Sequence, residues 1–183
     1  EIKDEQDRLK ARISVNGSTS GAFVNIETDR EHLADAIRLA GEMLRQPSFP
    51  QEEFEKFKKQ YLTNIDEQKT DPNAQAANLY ARLTNPEYPA GDPRRTLTFD
   101  EESAAAQAVT LEQVKDFHKK FYGASDATCA VVGDFDAAEV EKALRETFGD
   151  WKSPAKYVRI TNDYQPVPVR NEKILTPDKS NAV

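Results

Sequence analysis

Along the chain, apolar and polar positions change period several times. Residues Glu1 to Arg12 are mostly charged, with Ile2 and Leu9 seven apart, which reads as the end of an amphipathic helix. Ile13 to Glu27 alternates loosely around the small residues Gly17, Ser18, Thr19, Ser20 and Gly21, as two strands joined by a turn would. Thr28 or Asp29 can cap the next helix, whose stripe Leu33, Ile37, Ala40 and Leu44 follows the 3-4 spacing of one buried face and stops at Pro47. Ser48, Pro50 and Gln51 look like a helix start, and Phe54, Phe57, Tyr61 and Ile65 form the predicted buried stripe. Asp71-Pro72 ends that helix. Asn73 to Leu83 predicts an Ala-rich helix with Ala76, Leu79, Tyr80 and Leu83 apolar.

Pro86, Pro89, Gly91 and Pro93 mark an ordered loop, and Phe99 to Ala108 a short helix. Thr110 and Gln113 have capping-box spacing before a helix with Val114, Phe117 and Phe121 on one face and Gly123 at its end. Ala127 to Val132 is apolar without alternation, so it is expected to be a central strand covered on both faces. Asp136 and Glu139 open a helix with the stripe Val140, Leu144 and Phe148, and Tyr157 to Ile160 reads as a strand. The predicted fold class is α+β: a two-layer domain with helices packed on one face of a mainly antiparallel sheet. The predicted division is a domain over residues 1–160, an extended linker over 161–172 carrying Pro166 and Pro168, and a new unit beginning at 173–183.

Composition narrows the functional classes. The 183 residues are 38% hydrophobic and 31% charged, an ordinary globular mixture. With 25 Lys+Arg against 32 Asp+Glu the net charge is −7, which repels phosphate backbones and argues against nucleic-acid binding. No stretch approaches the 18 apolar residues of a membrane span. No signal peptide is visible, and a first residue of Glu1 rather than Met suggests a cut N-terminus.

Searches for chemistry return little. There is no GxGxxG, no GxxxxGK[ST] and no GxSxG. Cys129, the one cysteine, lies inside the apolar run and is expected to be a buried structural thiol rather than a nucleophile. His32 and His118, the two histidines, are 86 positions apart, a poor basis for a two-histidine zinc site. Glu52, Glu53, Glu55, Asp66 and Glu67 flank apolar stripes and read as solvated helix faces. On these residues alone, no catalytic, cofactor-binding or metal position is assigned.

Four segments carry a resemblance when taken in order: LRQPSFPQEEFEKFKKQYLTNIDEQKTDP (residues 44–72), LTNPEYPAGDPRRT (83–96), AVTLEQVKDFHKKFYGASDATCAVVGDFD (108–136) and LRETFGDWKSP (144–154). Together they resemble the pitrilysin/insulinase metallopeptidase family, the M16 inverzincins, over about residues 9–160. ILTPDKSNAV (174–183) resembles the first strand of the next domain in such proteins. The resemblance implies a LuxS/MPP-like metallohydrolase fold and a clamshell of two halves, each of two related α+β domains. It implies zinc only in the half that carries HxxEH on a helix, where both histidines bind the metal and the glutamate activates water. A glutamate on a later helix is the third ligand there, with a supporting glutamate one heptad before it.

This sequence departs from that pattern. HxxEH is absent, Phe57 stands at the supporting position and Asn64 at the third-ligand position. A phenyl ring offers no donor and an amide carbonyl is a weak zinc ligand. The resemblance therefore implies a domain of the non-catalytic C-terminal half, with no cofactor of its own, zinc in the catalytic half of the parent protein, and that half and a peptide substrate as partners. An inactive protein-binding or assembly module is the alternative. An unrelated ligand-binding α+β domain, predicting a closed pocket, and a truncated catalytic half are weaker alternatives. The style of the segments points to a bacterial, exported or periplasmic parent, and a lone cysteine suits cytosol and periplasm alike.

A domain of this family opens with a strand and helix that this sequence is expected to lack, which would bare apolar faces. The isolated chain is therefore expected to self-associate, and light scattering at high concentration checks it: a clean monomer contradicts the expectation.

Overall fold

The computed structural model describes residues 2–18, 20–85, 87–161, 164 and 166–175. Seven α-helices, one short 3-10 turn (Arg30–His32) and one antiparallel hairpin make up the regular structure among them, a mixed α+β chain. They fall into two compact units, residues 1–48 with 114–160, and residues 49–113 with 161–183.

In the first unit, α1 (Ile2–Arg8) leads through a turn into β1 (Arg12–Ser18) and β2 (Gly21–Glu27). The strands pair from Arg12 with Glu27 to Ser18 with Gly21. In that register Ile13, Val15, Val24 and Ile26 share one face, while Arg12, Ser14, Asn25 and Glu27 share the other. The apolar face packs on α2 (Leu33–Arg45): Leu9, Ile13, Ala36, Leu39 and Ala40 form one core cluster with Val24 and Ile26 against it. A second cluster joins Ala34 and Ile37 of α2 to Val140 and Ala143 of α7 (Ala137–Phe148).

Burial on α2 is therefore wider than the predicted single stripe, because the helix is covered on two sides. Its small residues permit this: a Cβ on Gly41 would sit 2.1 Å from Thr147 Cγ2 of α7. Asp29 caps not α2 itself but the 3-10 turn Arg30–His32 that leads into it, accepting from the His32 N–H at 3.2 Å, while the Thr28 hydroxyl donates to the Leu9 carbonyl. Asp136 caps α7 by accepting from the Ala138 and Glu139 amides.

In the second unit, α3 (Gln51–Gln68) packs on α5 (Phe99–Ala108), and α4 (Pro72–Thr84) is tied to the following loop through Asn78, which donates to the Leu97 carbonyl at 2.9 Å. Thr98 and Glu101 form a full capping box at α5. Thr110 and Gln113 form another at α6 (Leu111–Phe121). The expected box at Ser48 and Gln51 does not form; the Gln51 amide donates to Glu55 instead.

Several expectations are corrected. Residues 127–132 form no strand: β1 and β2 pair only with each other, so the run has no ladder, and Val132 is 97% exposed. Cys129, expected inside it, is exposed. Tyr157 to Ile160 is likewise irregular and exposed. Phe57 is not in the buried stripe of α3 but 68% exposed. The inward row is Phe54, Lys58, Leu62 and Ile65, one position round the helix from Phe57 and Tyr61. The same shift occurs on α6, where Leu111, Val114 and His118 turn inward while Phe117 and Phe121 face out and pack together at 4.8 Å. Of the unit predicted from residue 173, positions 176–183 lie outside the described residues.

These placements separate two aromatic and aliphatic side chains that the sequence pattern treats alike. Leu9→Ala should cost about 2–5 kcal/mol by emptying a closed site, whereas Phe57→Ala should cost less than about 1 kcal/mol. Urea denaturation of the two variants checks the difference.

Candidate functional site

The position with most chemical interest is the outer face of α3, which carries Phe57, Tyr61 and Asn64. Phe57 lies against Tyr61, ring centroids 6.3 Å apart and 16° from parallel. The Tyr61 hydroxyl donates to Glu102 Oε1 at 2.5 Å. That bond to a carboxylate holds the proton on the phenol and raises its pKa above the ordinary 10.0. Asn64 Oδ1 accepts from Gln68 Nε2 at 2.6 Å, so the amide oxygen is already engaged along its own helix. A phenyl ring, a bonded amide and a protonated phenol do not compose a zinc site. Glu52, Glu53, Glu55, Asp66 and Glu67 are all exposed. Glu53 and Asp66 pair with lysines on their own chain, Lys56 at 3.9 Å and Lys69 at 3.3 Å.

The two histidines have separate partners, both in the first unit. His118 Nε2 lies 2.7 Å from the Leu44 carbonyl oxygen, an acceptor, so Nε2 carries the proton and closes the end of α2. His32 Nδ1 lies 2.5 Å from Asp29 Oδ1, and this contact holds the Asp29 carboxyl below the usual 3.8. Glu31 comes close as well: one donor atom from each of Asp29, Glu31 and His32 lie within 4.8 Å of one another. Sequence reasoning weighed His32 only against His118 and missed this local grouping, although the D-x-E-H spacing carries it. Asp29 is already spent on capping its turn and on Lys10 at 3.5 Å.

An open depression of about 520 Å³ lies beside α1 and the base of the hairpin, lined in part by Lys10, Arg12 and Glu27. Arg12 and Glu27 pair at 3.7 Å across the strands. Charged, open walls of this kind do not provide the apolar enclosure that a small-molecule site uses.

The second unit also holds a tightly arranged loop before α5. Asp92 accepts from the Arg94 backbone and from two of its guanidinium nitrogens, at 2.7 to 2.9 Å. Those bonds push the Asp92 carboxyl down to about 2. Tyr88 lies under the same guanidinium, its centroid 4.2 Å from the central carbon.

Among the described residues, no helix is long and apolar enough to cross a membrane. Residues 108–182 match the family model described as the Peptidase M16 inactive domain. The matched stretch covers α6, the apolar run, α7 and the connector, including the segment that carried the most specific part of the resemblance. No curated protein sequence matches the chain.

A depressed carboxylate takes up its proton later in the folded chain than in the unfolded one. The Asp92–Arg94 arrangement therefore contributes in full above pH 3.8, and its contribution fades as pH falls through about 2. Carboxyl chemical shifts followed by NMR should find Asp92 still ionised at pH 3; a midpoint near 3.8 would remove the arrangement from solution.

Proposed function

We propose, from the match of residues 108–182 to the M16 peptidase inactive domain, that this chain is a non-catalytic domain of the C-terminal half of a zinc metalloendopeptidase. In this reading it has the LuxS/MPP-like fold, forms part of the clamshell wall, and helps hold an unfolded peptide while the other half, which binds the zinc, cleaves it. The parent is an exported bacterial protein. The observation that carries the reading is the family match itself. The outer face of α3 supports it, since Phe57 brings no donor and Asn64 is bonded to Gln68 where a metal-binding relative would present carboxylates.

The mechanical part of that role falls to binding rather than chemistry. The strands β1 and β2 are seven residues each and pair with one another over their whole length. Their outward edges offer backbone groups at the spacing an extended peptide needs. A neighbouring half of the same protein would supply the water-activating group and the metal.

Elemental analysis after dialysis against a weak chelator, combined with a quenched-fluorescent peptide assay, tests this. The expected result is a zinc-to-protein ratio near zero and no cleavage by this chain, with cleavage appearing when an HxxEH-bearing half is added. A ratio near one, or cleavage by the chain alone, overturns the reading.

A further inference from the structure

The guanidinium of Arg94 is oriented from three sides. Its Nε and Nη2 donate to Asp92 at 2.9 and 2.7 Å, and the Tyr88 ring lies beneath it. Asp92 is 16% exposed and Arg94 31%, which makes the Asp92 side chain the most enclosed partner of any ion pair among the described residues. The remaining edge of the fork, Nη1, donates at 3.1 Å to the carbonyl of Thr161, 67 residues further along the sequence. Arg94 and Thr161 both belong to the second unit. Thr161 precedes the segment that carries Pro166 and Pro168.

We propose that Arg94 is a clasp that fixes the point at which this connector joins the second unit. The physical case rests on pre-organisation. A long arginine normally loses rotamer freedom when it makes a bond. Here Asp92 and Tyr88 have already taken that freedom, so the bond to Thr161 adds little further ordering cost. The acceptor is a backbone carbonyl, so the clasp holds the main chain itself rather than a side chain that could swing away. Residues 166–175 beyond it have no regular secondary structure and are exposed, and Val169 is fully exposed, so apolar packing does not hold that part of the connector down. Its direction is set upstream, at Thr161. The consequence for the parent protein, that the clasp aims whatever follows the connector, rests on the reading proposed above; the clasp itself does not.

Trypsin cleavage after Arg159 tests it on the full chain. The protease needs several extended residues around the scissile bond, so it must release Thr161 from Arg94 first. Arg94→Gln should raise the rate of cleavage after Arg159 by about tenfold, because cleavage tracks the population of the opened form. Cleavage after Lys10 in the first unit serves as the internal reference and should be unchanged. Asp92→Asn, which keeps the arginine but loosens its aim, should move the rate the same way by less. If Arg94→Gln loses helical circular dichroism, Arg94→Lys carries the same expectation, since an ammonium cannot hold Asp92 and Thr161 together. Equal rates in wild type and a folded Arg94 variant overturn the clasp. The readout lies within this chain, so it fails or succeeds independently of zinc and peptide cleavage.

Discussion

Three helices in this chain end on carbonyls that a side chain from another helix closes. His118 on α6 reaches the Leu44 carbonyl at the end of α2. Arg45, the last residue of α2, donates to the Thr147 carbonyl at the end of α7. Lys58 on α3 donates to the Gln107 and Val109 carbonyls at the end of α5, at 2.7 and 2.8 Å. A helix leaves its last four carbonyls without partners, and those carbonyls carry the negative end of the dipole. A donor placed there satisfies the backbone and fixes one helix against another, contributing on the order of 1 kcal/mol each. Since few large apolar side chains are fully buried, these ties decide which helix sits where.

The same constraint explains the close approach of α2 and α7. Arg45 can reach Thr147 and also grip Asp150, at 2.9 Å, only if the two helices run near one another. Gly41 and the alanines of α2 make that distance sterically possible. Packing and capping thus demand the same thing of α2. A larger residue at position 41 would force Thr147 aside and disturb the carbonyl that Arg45 closes. The second unit has less apolar support: Ile65, at 1% exposure, is its one member of the buried apolar core among the described residues. It relies more on polar ties, from Lys58, from the Tyr61 hydroxyl on Glu102, and from Lys69 on Asp100 at 3.1 Å.

This reliance also decides what could be read from the sequence. All seven helices were legible, because caps, prolines and 3-4 spacing are local signals; so was the hairpin, from its alternation and small-residue turn. Which face of α3 and α6 turns inward was not. Hydropathy ranks Phe57 above Lys58 and Phe117 above His118, yet the polar member of each pair faces in. Its tip finds a carbonyl at a neighbouring helix end, and no local pattern reports where that end lies. The error at residues 127–132 has a different cause. An apolar run becomes a strand only when it pairs with a neighbour, and here β1 and β2 pair with one another alone, so the run is left without a ladder. The run makes a weaker contact instead: Val131 packs at the edge of the second core cluster, while Cys129 is left exposed. Which atoms a side chain owns does not depend on its orientation. Phe57 lacks a donor whichever way it faces.

That last point survives the correction to Phe57 and changes its meaning. A buried Phe57 would have belonged to the core. An exposed one, lying flat on Tyr61, costs apolar exposure without contributing to the core. The outer face of α3 is an aromatic surface, its Tyr61 hydroxyl bonded to Glu102, which raises the phenol pKa above its ordinary value. Flat aromatic rings with one polar tip suit contact with another chain, since they present area at little entropic cost. Exposed helix faces are ordinarily polar. Exposed rings fit a surface that meets another chain, which agrees with the role proposed for a half that holds peptide rather than cuts it.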